Sequence, residues 1–385
     1  MKKLSVIMTL VLIGSMAVFA GGGKEAKGAS AKVFIGLAMP ETHVERWQKD
    51  GESLKKGLEA KGYAAEVQYG NADQATQNQQ IQSFLTQGAK ALIIGNINDG
   101  VGSVVEEASK GGVKVIAYDR IIQNTTNYDY YITFNNYAVG TLQGEAIKKA
   151  LNLDAATTAA PKYITYFAGS PTDANANFFF QGAADVLNPY IDKGVLKIVG
   201  PKGKSYTESS FFQAIATENW SGPAAKQRME GLLVGEAKGV TLDAVLAPND
   251  TLARAIIEAL KADAKYRAKL PFVTGQDAEA DSVVSIKNGE QGMTVFKDTS
   301  KLAEAAVLIA DALAKGQKPV IPGATEIYDS GPLKGIADVT PSNLNDNQYV
   351  HTFLLTPIGV TKDNWKTPVD AGFYDSNPAE KAKLQ

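Results

Sequence analysis

The chain has 385 residues, of which 44% are hydrophobic and 21% are charged, which is the composition of a globular protein and not of a disordered or fibrous one. Its formal net charge of −2 argues against a nucleic-acid-binding protein, because nucleic acids require clustered lysines and arginines. The length allows two domains of ordinary size, and the lack of cysteine means that their cores form without disulfide bonds.

The first 20 residues have the pattern of a secretory signal peptide. Lys2 and Lys3 precede an apolar stretch, and Val18 and Ala20 are suitably placed for cleavage after Ala20. No later segment has the roughly 20 continuous apolar residues that span a bilayer. The sequence therefore predicts an exported protein whose mature chain is soluble.

Residues 21–32 are predicted to be a flexible linker, because they are polar and rich in glycine. The residues around Gly21 are similar to a bacterial lipoprotein signal, in which this position holds the cysteine that carries the lipid. A natural Gly21 excludes a lipid anchor. If a cysteine was replaced to obtain a soluble protein, the parent protein was tethered to the membrane, and both alternatives are open at this point.

From Val33 onward, short apolar runs alternate with segments whose apolar residues recur every three or four positions. Continuous β-branched runs between helices indicate parallel sheets that helices cover on both faces. The strands are too many for one compact sheet of ordinary length. We therefore predict an α/β fold with two doubly wound parallel-sheet lobes.

The chain is predicted to pass between these lobes three times. The passages are expected near Phe134–Asn136, Phe296–Asp298 and Tyr328–Leu333. The first lobe then combines residues 31–135 and 297–328, and the second combines residues 136–296 and 329–385. Three strands that join two lobes form a hinge, and a hinge favours opening and closing about a cleft.

Polar and aromatic side chains follow the carboxyl ends of the predicted strands, where doubly wound sheets bind ligands. These residues are Arg46, Trp47, Asp119, Arg120, Asp173, Asn175, Trp220, Asn249, Asp277 and Lys297. A sugar hydroxyl can accept a hydrogen bond from arginine or lysine while it donates one to a carboxylate. The apolar face of a sugar ring can lie against an indole. The set therefore predicts a site for a polyhydroxylated ring.

Packing or solvation is an alternative for three of these side chains. Trp47 follows the core period of its helix together with Leu54 and Leu58, which favours a place in the core. Trp220 stands in a polar setting, where packing and ligand contact are both open. Lys297 could simply be solvated.

Structural roles are also open for the acidic residues. Asp119 and Arg120 are adjacent and could form a structural ion pair. Asp173, Asp250 and Asp277 each precede a predicted helix, where aspartate commonly caps free N–H groups. The shared position of these residues at strand ends is what favours a binding role.

Catalytic and metal-binding motifs find little support. The sequence has no phosphate-binding loop and no nucleophile elbow. Its only histidines are His43 and His351 and it has no cysteine, so we predict that the protein binds no metal and no cofactor. Asp119 and Asp277 could flank a glycosidic bond. Cationic partners would lower the pKa values of these carboxyl groups and leave no general acid, so we predict a binding protein and not an enzyme.

A family resemblance rests on motifs that run in order from about Arg46 to Asn364. They are ERWQKD, KVIAYDRII, YYITFNNYAVGTLQ, GSPTDANANFF, APND, GQDAEADSVVSIKNGEQ, MTVFKDT and LLTPIGVTKDN. With these motifs the chain resembles the periplasmic sugar-binding proteins of ABC importers, in the branch of the xylose-binding and multiple-sugar-binding proteins. The resemblance implies the type I periplasmic binding fold, with two lobes and a monosaccharide in the cleft.

The resemblance also implies roles and partners. The charged and amide residues named above would hydrogen-bond the sugar, with Asp119 and Arg120 on adjacent hydroxyls, while Trp47 and Trp220 sandwich its ring. The implied cargo is an aldopyranose such as xylose, glucose or galactose, and the nearest alternative is a polyol or a furanose signal. The implied partners of a monomeric receptor are an ABC permease and a chemoreceptor.

Two departures from the family pattern bear on the cargo. Ala174 stands where the family usually has asparagine, which predicts the loss of one contact or cap. The polar stretch 342–349 precedes the LLTPI motif where relatives have a short connection. This stretch is expected to enlarge a surface loop or to alter the third passage between the lobes.

Overall fold

The computed structural model describes residues 32–122, 124–327 and 350–385. The predicted signal peptide, the linker up to residue 31, the predicted passage at Tyr328–Leu333 and the stretch 342–349 lie outside the described residues. Throughout the three described ranges, the helices are too short or too polar to cross a lipid bilayer.

Strands and helices alternate along the described chain, which confirms the predicted α/β class. The strands are β1 (Phe34–Met39), β2 (Ala64–Tyr69), β3 (Ala91–Ile94), β4 (Lys114–Tyr118), β5 (Tyr130–Phe134), β6 (Lys162–Tyr166), β7 (Leu196–Ile198), β8 (Ala244–Leu246), β9 (Phe272–Val273), β10 (Met293–Phe296), β11 (Thr325–Ile327), β12 (His351–Leu355) and β13 (Ile358–Thr361). The helices are α1 (Arg46–Ala60), α2 (Gln74–Thr86), α3 (Gly102–Lys110), α4 (Asn136–Ala150), α5 (Ala174–Asp192), α6 (Ser209–Ile215), α7 (Gly222–Val234), α8 (Asp250–Ala262), α9 (Ala280–Asn288), α10 (Thr299–Ala314), α11 (Thr367–Asp370) and α12 (Pro378–Leu384).

Two parallel sheets form the core of the fold. The first has seven strands in the order β11-β12-β5-β4-β3-β1-β2, and only its edge strand β11 runs antiparallel to its neighbour. The second has four parallel strands in the order β7-β6-β8-β9. In addition, β10 and β13 form an antiparallel pair. Apolar runs such as that of β3 are buried along their whole length, as expected for strands that helices cover on both faces.

The assignment of residues 329–385 to the second lobe is wrong for β12. This strand pairs in parallel with β5, His351 opposite Tyr130, and it therefore belongs to the first sheet. The chain leaves that sheet between Leu355 and Ile358, since β13 pairs with β10. The apolar run of β12 could pair with a strand of either sheet. Tertiary packing decides which strand it pairs with, and the residues of β12 alone do not indicate that choice.

Helices α4 and α5 cross at two glycines. A Cβ atom at Gly140 would lie 2.0 Å from the carbonyl oxygen of Phe179, and one at Gly182 would lie 2.1 Å from that of Tyr137. The two backbones are thus too close for any side chain larger than hydrogen. Because α4 begins directly after β5, this crossing joins the end of the first sheet to a helix that packs on the second.

Candidate functional site

A single buried cavity brings together the strand ends of both sheets. It is lined by Val44, Arg46, Trp47, Asp119, Arg120, Asp173, Asn175, Phe179, Trp220, Asn249, Gln276, Asp277 and Lys297. Every residue that the sequence predicts as a ligand contact is in this lining. The space between the side chains is about 20 Å³, which is room for one water molecule. A larger guest therefore enters only if the walls separate.

Arg46 is the centre of a network of buried charges. Its Nη2 atom lies 2.8 Å from a carboxylate oxygen of Asp50 and 2.8 Å from one of Asp119, and its Nη1 atom lies 3.8 Å from Asp277. Burial opposes the charge of Arg46, but the three carboxylates outweigh it and raise the pKa of the guanidinium well above its usual value. Arg46 is therefore a permanent cation within the cavity wall.

Asp119 is a permanent anion for the same reason. Burial favours its neutral form, but the charges of Arg46, Lys297 and Arg120 outweigh burial and lower the pKa of the Asp119 carboxyl. Asp119 and Arg120 do not form the structural pair that was an alternative from the sequence, because each has its ion-pair partners elsewhere.

Arg120 joins the two walls of the cavity. Its Nε atom lies 2.8 Å from Oδ2 of Asp173, and its Nη2 atom lies 3.1 Å from Glu41. Its Nη1 atom donates to the carbonyl oxygen of Asn96 at 3.1 Å. Burial again opposes the charge, and the two carboxylates raise the pKa of Arg120 above its usual value. Two hydrogen bonds, to Asn96 and Glu41, and the ion pair with Asp173 hold the guanidinium in one orientation.

Asp173 has a capping role and a charge-pairing role together. It accepts a hydrogen bond from the backbone N–H of Asn175 at 3.0 Å, which confirms the cap predicted for α5. Its other oxygen accepts from Nε1 of Trp220 at 3.2 Å. Burial raises the pKa of the Asp173 carboxyl even though Arg120 lowers it. Asp173 thus differs from Asp119, whose cationic partners outweigh burial and lower its pKa.

The other two predicted aspartate caps are wrong. Asn249 caps α8, since its Oδ1 accepts from the N–H of Leu252 at 3.0 Å, and Asp250 is a fully buried residue within that helix. Asp277 pairs with Nζ of Lys297 at 3.0 Å. Lys297 is only 2% exposed, so its alternative as a solvated lysine is wrong as well.

Several residues of the cavity have a left-handed backbone. The φ angles are 64° at Asp119, 53° at Trp220 and 92° at Asp277. Such a conformation costs on the order of 1–3 kcal/mol for a residue other than glycine, and it persists only where the surroundings enforce it. Strained residues of this kind cluster at binding sites, where the strain aims a side chain that an ordinary strand end would point elsewhere.

Trp47 belongs both to the core and to the cavity wall. It is 2% exposed and packs in the main hydrophobic cluster with Leu54 and Leu58, as its helical period predicts. The guanidinium carbons of Arg46 and Arg120 lie 4.6 and 5.0 Å from the centre of its ring. These cation–π contacts fix the two cations against the indole.

Trp220 covers the opposite part of the wall. Its ring lies against Gly169, where a Cβ atom would come within 2.0 Å of the indole. The ring meets Phe179 edge to face, with 6.3 Å between centroids. Packing and cavity lining are therefore compatible for this residue, and Gly169 is the small residue that lets the indole approach the backbone.

Asn175 uses its amide within the protein. Its Nδ2 donates to the backbone carbonyl of Asp119 at 3.0 Å, and its Oδ1 accepts from Asn136 at 2.9 Å. These bonds hold the left-handed backbone of Asp119 and connect it to the start of α4. Asn175 lines the cavity and also positions Asp119.

Sequence reasoning missed Val44, Phe179 and Gln276 in the cavity lining. Phe179 follows Asn175 by four positions in α5, and that helical spacing could have indicated it. Gln276 directly precedes Asp277 at a strand end. Its Oε1 atom is buried without a hydrogen-bond partner among the described residues, which makes it an available acceptor in the wall.

Ala174 is not one of the residues that line the cavity, although its neighbours Asp173 and Asn175 both are. Ala174 is buried in the hydrophobic cluster that includes Tyr131. The residues that flank the stretch 328–349 are at the amino end of β12, where Ile327 pairs with Thr352, whereas the cavity is at the carboxyl ends of the parallel strands. No group of three acidic or histidine side chains that could hold a metal ion occurs in the described ranges.

Comparison with known proteins supplies the family. Residues 35–318 match the model of the periplasmic binding protein domain. The chain is 40% identical to the multiple sugar-binding periplasmic receptor ChvE of Rhizobium radiobacter over 354 residues, which cover 91% of this chain and 93% of that protein. It is 35% identical to the D-xylose-binding periplasmic protein of Escherichia coli over 379 residues, with 97% and 98% covered.

A solved structure agrees with these relatives. The solute-binding protein of an ABC transporter from Clostridium phytofermentans, with bound β-D-glucose, superposes with a TM-score of 0.77 at 37% identity and covers 90% of this chain and 99% of its own. These relatives are named as receptors and binding proteins, in agreement with the prediction that the chain is not an enzyme. The chain therefore belongs to the periplasmic binding protein family, in the branch of the multiple-sugar-binding and xylose-binding proteins.

Proposed function

We propose that this protein captures a monosaccharide in the buried cavity and delivers it unchanged to the permease of an ABC importer. The observation that carries the proposal is the joint burial of Arg46, Asp119, Arg120, Asp173 and Lys297 around one cavity that also has two indoles in its wall. The proposed cargo is an aldopyranose, in keeping with the sugars named for the similar proteins.

The chemistry of the lining suits sugar hydroxyls. The guanidinium and ammonium groups donate only, and the carboxylates accept only, so a hydroxyl between one of each satisfies both. Hydrogen bonds to charged groups contribute about 1.5–3 kcal/mol each, and a few of them suffice for the roughly −8 kcal/mol of micromolar binding after the costs of association. Gln276 offers a further acceptor.

Capture requires a hinge motion. The cavity of about 20 Å³ does not hold a sugar ring, and its walls are joined by the ion pair of Arg120 with Asp173. We propose that two lobes separate about the passages at Phe134–Asn136, at Phe296–Asp298 and after Leu355. A sugar then replaces direct ion pairs with hydroxyl bridges and favours closure by as much as it binds the closed form better.

Hydrolysis of a glycoside is the weaker use of the same carboxylates. A glycosidase needs a carboxylic acid that is protonated at neutral pH beside a second carboxylate. The charges around Asp119 lower its pKa, and the same arginine that contacts Asp119 also lies 3.8 Å from Asp277. Asp119 is thus placed as an anionic acceptor, and Asp277 faces the cations of Arg46 and Lys297.

The proposed partners follow from the relatives. ABC transport is named for the similar solute-binding protein, and a receptor role is named for ChvE. We propose that a permease, and as a second partner a chemoreceptor, binds the closed form of a monomeric periplasmic protein. Closure is then the signal, and the sugar is the cargo.

A thermal-shift panel tests the proposal. Refolded protein, freed of any retained ligand, is heated with xylose, glucose, galactose, arabinose, ribose, fucose, a polyol or buffer alone. A sugar at about 100 times its dissociation constant should add roughly 2.7 kcal/mol to the free energy of unfolding. A rise in melting temperature with one or two aldopyranoses supports the proposal. A rise with the polyol alone, or with none of the compounds, contradicts it.

A further inference from the structure

His43 makes a polar contact across the mouth of the cavity. It lies in the loop between β1 and α1, directly before the cavity residue Val44 and three positions before Arg46. Its Nε2 atom is 2.7 Å from the backbone carbonyl oxygen of Asn219. Because a carbonyl oxygen can only accept, the imidazole carries a proton on Nε2 and donates it.

The acceptor belongs to the segment that carries Trp220. Asn219 and Trp220 both have left-handed backbones, with φ angles of 50° and 53°. This segment follows α6, on the side of the second sheet, whereas the loop of His43 leaves the first sheet. The hydrogen bond therefore ties one wall of the cavity to the strained turn that places an indole in the other wall.

We infer that His43 is a positioning residue for sugar retention, whose hydrogen bond to Asn219 holds the Trp220 turn over the bound sugar and slows the release of the sugar. The inference rests on the proposed function and deepens it. His43 and Asn219 are exposed while Trp220 is 5% exposed, so the contact lies at the solvent edge of the cavity with the indole behind it. It thus acts on opening and does not touch the sugar.

The role of a donor at this position predicts a specific pattern among variants. His43→Ala removes the bond and should speed sugar release about fivefold, which corresponds to about 1 kcal/mol at 1.4 kcal/mol per factor of ten. His43→Gln keeps an N–H donor at a similar reach and should restore most of the wild-type rate. Thr42→Ala alters the neighbouring side chain of the same loop and is the matched control.

Release of D-xylose and of D-glucose is measured by stopped-flow tryptophan fluorescence for the four proteins. Faster release from His43→Ala only, with recovery in His43→Gln, supports the inference. Equal rates in wild type and His43→Ala, or no recovery in His43→Gln, overturn it. If the wild type binds neither sugar, the proposed function fails for these cargoes, and a second measurement decides about the contact.

That second measurement uses the lack of cysteine in the chain. In the double variant His43→Cys with Asn219→Cys, a short bis-maleimide, to which one thiol adds at each end, can link only the two introduced cysteines. An internal cross-link, seen as faster gel migration that is missing in either single variant, supports the contact. No cross-link, with and without sugar, overturns it.

Discussion

Arg120 and Asp173 form a buried ion pair that joins the two walls of the cavity, with 2.8 Å between Nε and Oδ2. Arg120 follows β4 of the first sheet, and Asp173 precedes α5 on the side of the second. The pair is therefore a direct link between the parts of the protein that must separate to admit a sugar. A buried charge is costly unless it has a partner. A sugar that separates Arg120 from Asp173 must therefore supply hydrogen bonds to both side chains.

Arg120→Ala should weaken sugar binding by about 10- to 150-fold, because hydrogen bonds to charged groups contribute about 1.5–3 kcal/mol. It should also lower the free energy of unfolding by about 3–5 kcal/mol, since Asp173 is left as an unpaired buried acid. Lys226→Ala, which breaks an exposed pair with Glu258, is the control and should change stability by less than about 1 kcal/mol. Calorimetric titration and urea unfolding measure both effects. Equal affinities of the two variants would count against a ligand role for Arg120.

Trp220→Ala should reduce sugar affinity by at least about tenfold, because the sugar ring loses the apolar indole surface against which it packs. Trp365→Ala is the control, since Trp365 is partly buried against a separate small hydrophobic cluster and is not part of the cavity lining. Its affinity should equal that of the wild type. Titration of both variants with the same sugar decides the matter, and an unchanged affinity in Trp220→Ala would remove this residue from the site.

Gly182→Ala should destabilise the protein, because the new Cβ would meet the carbonyl oxygen of Tyr137 at 2.1 Å. Forced packing of this kind typically costs about 1–3 kcal/mol. Gly231→Ala is the matched control in α7, where an added Cβ has no atom within 4 Å, and it should stabilise by about 0.5–1 kcal/mol. Denaturant unfolding of the two variants should give changes of opposite sign. A loss of stability in both would show that the close crossing of α4 and α5 is not the cause.

The stability of the protein should rise as pH falls from above 7 toward 5. Burial raises the pKa of Glu279 to about 7, even though Arg254 and Thr251 contact its carboxylate. An unfolded glutamate ionises near pH 4.3, so between these values the folded state binds the extra proton and is favoured by acid. Melting temperatures measured across this pH range should depend less on pH in Glu279→Gln than in the wild type. The same slope in the wild type and in Glu279→Gln would assign the effect to another group.

Much of the site could be predicted from the sequence because one physical rule applies to it. Parallel strands place the residues that follow them at a common edge, and Asp119, Asp173, Asp277 and Lys297 each follow a strand that the apolar runs indicate. The roles of single residues were less accessible. Whether Asn249 or Asp250 caps α8 depends on the first helical residue, and element boundaries are the weakest part of such a prediction.

Contacts between distant segments could not be predicted. Gln276 lines the cavity only because the end of β9 faces that of β4. The side-chain amide of Asn175 donates to the backbone carbonyl of Asp119, which lies 56 positions earlier in the chain. The place of β12 beside β5 is of the same kind. In each case the deciding interaction joins residues whose own neighbours carry no sign of it.

Titration calorimetry of the refolded protein with D-xylose and D-glucose tests the sugar site most directly, with Asp119→Ala as the paired variant. The wild type should bind at least one of the two sugars at a single site, with the sugar recovered unchanged, and Asp119→Ala should bind it at least about tenfold more weakly. No heat from either sugar, or equal affinities of the wild type and Asp119→Ala, would contradict a monosaccharide site in this cavity.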